Sequence, residues 1–165
     1  MRPMELPIEI VRSRRRKRTI AAYVVDGRVR VLLPAGMPAA QEASLVEEMA
    51  AKAIRRFTSK AVDLSLRASQ LADRYGFPHP ESIAWSDRQL VRWGSCTPGL
   101  GSIRISRRLA SMPPWVLDWV LVHELAHLVV GDHGPRFQAL VSQYELGERA
   151  EGYLIAKSEE QVSRP

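Results

Sequence analysis

Three of the four histidines in this 165-residue chain fall within one short segment, at His123, His127 and His133, and a glutamate, Glu124, follows the first of them. On an α-helix the side chains at i and i+4 stand one above the other, so His123 and His127 present their imidazoles to one side and can share a tetrahedral zinc ion. Glu124 sits about 60° around the axis from His127, at 100° per residue. It is placed to touch a zinc-bound water without ligating the metal. Zinc brings the pKa of such a water near neutrality, and an adjacent carboxylate takes its proton as the water attacks a polarised carbonyl. The chemistry implied is hydrolysis assisted by one zinc per chain, with Glu124 as general base.

A catalytic zinc also needs a third protein ligand and an open position, and His133 lies where the helix is expected to stop. Gly131 is expected to end that helix in the left-handed conformation, and Gly134-Pro135 to open the next with Pro at its first position. Asp132 reads as an exposed turn residue, the alternative being a hydrogen bond to a ligand imidazole. The spacing matches the metzincin signature at its three histidines, but Val130 stands where that signature has Gly and no Met follows His133 to make its Met-turn. The bland alternative is a pair of satisfied core histidines. Against it, burying an unpaired Glu124 in so apolar a segment would cost about 2–7 kcal/mol or more, so a compensating cation is expected.

The elements that must position these groups follow from the hydrophobic pattern. The apolar run Trp115 to Val130, broken by Asp118, His123, Glu124 and His127, reads as a buried core helix and not a membrane span. A further helix is expected over Arg136 to Leu146, with Phe137, Leu140, Val141 and Tyr144 on one face. Ile83 to Ser86 and Leu90 to Trp93 read as short strands, and Gly94 to Gly101 as turn. Ser102 to Ser106 alternates polar and apolar residues and is expected to be an edge strand beside the site, where Ile103 and Ile105 would line a rail for an extended peptide. Trp93, Ser95 and Tyr144 are the further substrate-contact candidates, Tyr144 or a group near Trp93 to Ser95 serving as oxyanion donor. Cys96 reads as a small buried hydrophobe.

Upstream, Thr19 to Val25, Asp26-Gly27 and Arg28 to Pro34 form a hairpin signature. Apolar residues from Ile54 to Tyr75 recur at steps of three and four, as one helix or two. Residues 1–18 hold seven Arg or Lys against two Glu, a local +5 of the net +6. Within them Arg14, Arg15, Arg16, Lys17 and Arg18 read either as a nucleic-acid contact or as the solvated face of the hairpin's first arm. With 45% hydrophobic residues the length suits one core and one α+β domain over 1–165, its core at about 12–146, a basic hairpin at 12–34 and a tail fraying from Ser158 to Pro165. A single cysteine excludes an internal disulfide framework, and Met1 to Glu5 lacks the apolar core of a signal peptide, so a cytoplasmic location is expected.

The chain resembles the YgjP-like metallopeptidase family, itself related in outline to the SprT-like zinc proteases. The resemblance rests on Arg12 to Lys17, the Asp26-Gly27 hairpin, Arg92-Trp93-Gly94-Ser95-Cys96, Gly101-x-Ile103-x-Ile105 running to Arg108-Leu109, Pro113, and His123-Glu124-Leu125-Ala126-His127 with Asp132-His133-Gly134 and Phe137. It implies a zincin-like domain with zinc on the three histidines, Glu124 as base, and a peptide or protein substrate. It also implies that the basic run belongs to the fold. Two positions depart from the family's pattern, Ser106 where Asn is usual and Gln138 where Trp is usual, and both bear on the shape of the substrate cleft. Two rival functions stay open at this point: a protease acting on DNA-bound proteins, and a non-catalytic, zinc-stabilised module that binds nucleic acid or protein.

Overall fold

The Asp26-Gly27 pair turns as its composition demands. Both residues have positive φ, 48° and 70°, the combination a two-residue hairpin of matching twist needs. The turn joins β2 (Ala21–Val25) to β3 (Arg28–Pro34), and β1 (Ile8–Ser13) pairs in parallel with the other side of β3. Val29, Val31 and Leu33 alternate along β3 and are wholly buried. They meet Val46, Ala50 and Ala53, which recur at helical spacing on α1 (Ala39–Lys60). The computed structural model describes residues 6–162, and these elements make the first of two compact units, divided after Ala61. Where one core was expected from the length, each unit has its own.

The basic run is not an arm of the hairpin. Arg14 to Arg18 link β1 to β2, since consecutive cations repel and offer no alternating apolar face to a sheet. β1 begins at Ile8, ahead of the expected start at residue 12.

The helical stripe divides in two at Asp63, whose carboxylate caps α2 (Leu64–Tyr75) by accepting from the Leu66 amide at 3.0 Å. Left-handed Gly76 ends α2. In this second unit β4 (Ser82–Ser86), β5 (Gly94–Thr97) and β6 (Ser102–Ser106) form a sheet in the order β4-β6-β5. Leu90 to Trp93 is a loop, with Val91 88% exposed. The strand lies at Gly94–Thr97 instead, in residues too small to show an alternating pattern. β6 is the middle strand and not an edge: β4 pairs with one side of it and β5 with the other.

α3 (Pro114–His127) runs through the second unit's core and packs on α2, β5 and β6, on α4 (Pro135–Val141) and on α5 (Gly147–Val162). Val116, Leu121, Val122 and Leu125 are inaccessible to solvent. α4 is shorter than the helix expected over 136–146, and α5 continues through Ser158, where fraying was expected, to Val162. No helix among the described residues is long and apolar enough to cross a membrane.

Asp118, buried at 6% exposure, receives both arms of the Arg67 guanidinium, which ties α3 to α2. The carboxylate in turn holds the guanidinium pKa above its ordinary value. Arg67→Ala strands a buried carboxylate and should cost about 3 kcal/mol, in the range for breaking one side of a buried pair. A chemical denaturation midpoint within error of wild type would show the pair to be dispensable.

Candidate metal centre

α3 ends at His127, and Leu128 at its C-cap keeps a right-handed conformation. Gly131 is not left-handed, contrary to expectation; the helix ends earlier in a tightened last turn, where the Leu128 and Val129 amides donate three residues back, to the Leu125 and Ala126 carbonyls, at 3.1 and 3.0 Å. Asp132 Oδ1 then accepts from the Gly134 amide at 2.9 Å, and Pro135 opens α4. This turn returns His133 to the helix end. Its Nε2 lies 3.2 Å from His127 Nε2 and 3.3 Å from His123 Nε2. Ligands at tetrahedral angles, about 2.0–2.1 Å from one zinc, stand about 3.3 Å apart. Both separations match that spacing, and the ligand atoms of all three lie within 4.8 Å of one another, so the trio can hold such an ion.

Its surroundings hold it ready. The Phe137 ring, 1% exposed, lies 4.9, 4.6 and 4.7 Å from the ring centroids of His123, His127 and His133, an apolar floor under all three. His127 Nδ1 is 3.1 Å from the Val130 carbonyl. Donation there fixes the tautomer that leaves the Nε2 lone pair facing the other imidazoles. Burial and the two neighbouring rings push the His123 pKa down to about 4, so this ring stays neutral and able to ligate at neutral pH.

Glu124 is 5% exposed, and burial raises its pKa to about 7 against the opposing charge of Arg92. The second-unit cleft on which Glu124 and the three histidines open has a volume of about 820 Å³. Gly94, on β5, allows the carboxylate its place: a Cβ there would lie 2.8 Å from Glu124 Cγ and Cδ. Gly94→Ala should therefore retain metal while lowering kcat/KM by about 100-fold, the scale of a displaced catalytic group. Wild-type turnover in that variant would show that the contact does not position Glu124.

The remaining candidates separate by place. Trp93 and Ser95 line the cleft. The Arg108 guanidinium covers the Trp93 ring at 3.8 Å, and the Ser95 hydroxyl accepts from Gln89 Nε2 at 2.7 Å. Ile103 and Ile105 are buried beneath the sheet at 1% and 0% exposure, and with both sides of β6 paired they offer an extended peptide no free backbone. Burial pushes the Tyr144 pKa up to about 12 and keeps its hydroxyl protonated, but that proton is donated to the Trp115 carbonyl at 2.9 Å, which turns it away from a substrate oxyanion. The Cys96 thiol borders the cleft with its pKa raised to about 11 by burial and by Glu124, which keeps it protonated. Arg14, Arg15, Arg16, Lys17 and Arg18 belong to the first unit.

Two parts of the cleft were given no role in the site by the sequence reading. Arg92 is held in place by the loop around it: Arg108 donates to the Arg92 carbonyl at 3.0 Å, and Ser106 donates to the Gln89 carbonyl at 3.0 Å. The far wall comes from α5, through Glu151, Leu154, Ile155, Ser158 and Glu159. Charge spacing on a surface helix carried no sign of that role.

The fold is that of metallopeptidases. The chain is similar to the crystal structure of the metallopeptidase zymogen of Methanocaldococcus jannaschii jannalysin, with a TM-score of 0.51 and 16% identity over 58% of this chain and 97% of that one. The model of the YgjP-like metallopeptidase domain matches residues 39–145, and the chain belongs to that family. No curated protein matches it. Family membership supports a metal-dependent peptide hydrolase, and the histidine trio is the group among the described residues able to hold the metal.

Proposed function

We propose that the metal is zinc, one ion per chain on His123, His127 and His133, and that the protein hydrolyses peptide bonds with Glu124 as general base. The observation carrying this reading is the set of imidazole nitrogens 3.2 and 3.3 Å apart beside a buried carboxylate. Zinc supplies Lewis acidity, polarising a carbonyl and acidifying water. Glu124 takes the proton of the attacking water on its carboxylate and returns it to the leaving amine. A pKa near 7 suits both transfers, since acceptance and release are then closely balanced at neutral pH. Arg92 favours the ionised carboxylate at the start of the cycle. An extended substrate pairs with β5, the edge strand whose Gly94, Ser95 and Cys96 border the cleft. That strand takes the place expected of β6.

The test is cleavage of a diverse peptide library by the zinc-loaded protein, read by mass spectrometry. Cleavage abolished by a chelator and restored by zinc is the expected result. Retained zinc with no cleaved peptide would leave a zinc-stabilised binding module as the function.

A further inference from the structure

In the first unit, a second concavity of about 510 Å³ lies between the β1–β2 link and the turn that leads from β3 into α1. Arg14, Arg16, Lys17 and Arg18 line it, and its lining has no acidic residue. Among the described residues the four cations make no ion pair; Arg16 reaches only the Thr19 hydroxyl, at 3.4 Å. The acid nearest in sequence on the helix, Glu42, is already engaged by Arg12 at 2.8 Å. The pocket also receives the start of the 22-residue α1, where Pro38 stands as N-cap and provides no side-chain cap. The positive end of the helix dipole adds to the four side-chain charges.

The geometry points to this pocket as a sequence-independent docking site for the phosphodiester backbone of a nucleic acid. Three of the four cations are guanidiniums, which pair with phosphate through two parallel bonds. The lining offers no aromatic ring on which a base could stack, so bases go unread. Nor does it offer the large apolar pockets in which protein partners anchor, Met37 being its one long apolar side chain. Charge alone is left to recognise the partner. A concave site admits a strand more readily than the plane of a bilayer. The inference uses nothing of the metal centre and stands or falls apart from it.

The test is fluorescence anisotropy of the full chain with a labelled mixed-sequence duplex of about 20 base pairs across about 50 to 200 mM salt. Four neutralised phosphates give a slope of log K against log salt of about −3.6, an affinity loss of about 150-fold over that range, and about −2.8 on a single strand of the same length. Arg14→Gln with Lys17→Gln should bring the duplex slope to about −1.8, while Arg28→Gln with Lys60→Gln, exposed cations of the same unit outside the pocket, should leave it unchanged. All four substituted residues are charged side chains in a loop or at the surface, and thermal melts check that each variant is folded. No binding at the lowest salt would overturn the proposal, as would an equal loss of slope in both pairs. Competition by poly-glutamate or phosphatidylserine vesicles as effective as that of the duplex would overturn the nucleic-acid assignment.

Discussion

Glu124→Gln is expected to keep wild-type zinc content and lose about 10²- to 10⁴-fold in kcat, the contribution of a positioned general base. The amide fills the same buried space beside Gly94 and cannot accept a proton. Two residues at this site whose pKa values are shifted in opposite directions make a second signature, visible without metal. Glu124 has its folded pKa raised from 4.5 to about 7, so the stability it confers is present below 4.5 and is lost as pH rises through about 7. His123 has its folded pKa lowered from 6.5 to about 4, so its contribution is present above 6.5 and is lost as pH falls through about 4. Between about 4.5 and 6.5 the two slopes oppose each other. In metal-free Glu124→Gln the opposition is gone, and its melting temperature relative to wild type should climb with pH across that window. A constant difference between the two proteins would mean that Glu124 has an ordinary carboxyl pKa.

His133→Ala carries the second large effect. The residue sits on an exposed turn, so the metal-free fold should survive the change, while zinc affinity falls by more than about 100-fold, beyond the 10- to 100-fold typical of a lost outer-shell partner. The readout pairs calorimetric zinc titration with the rise in melting temperature that zinc produces, since a ligand bound only to the folded state stabilises it by mass action. Asp132→Ala, which removes only a turn hydrogen bond, serves as the control. Equal zinc affinity in His133→Ala and wild type would exclude His133 as the third ligand.

The helical repeat alone brings His123 and His127 to one side, and the Gly-Pro pair after His133 was enough to foresee a turn that returns to them. The α+β class, the Asp26-Gly27 hairpin and the buried character of α3 were legible for the same reason: each depends on neighbours in sequence. The misreadings concern long-range partners. Nothing in the alternation of Ser102 to Ser106 tells how many strands flank it, so a middle strand looked like an edge. Tyr144 looked available because its acceptor is the backbone carbonyl of Trp115, and a carbonyl leaves no mark in residue identity. Arg67 and Asp118 lie far apart in sequence, and the far wall of the cleft is a helix whose charged surface reads as solvent-facing. Gly94 could be quoted as part of a motif, but its reason, the Glu124 side chain filling the space a Cβ would need, is a distance between two elements.

The most direct test is elemental analysis of the purified protein beside His123→Ala prepared identically. One zinc per chain in the wild type and none in the variant is the expected result. A wild-type protein that holds no zinc and takes up none when zinc is added would contradict the account, leaving the three imidazoles as structural side chains packed on Phe137.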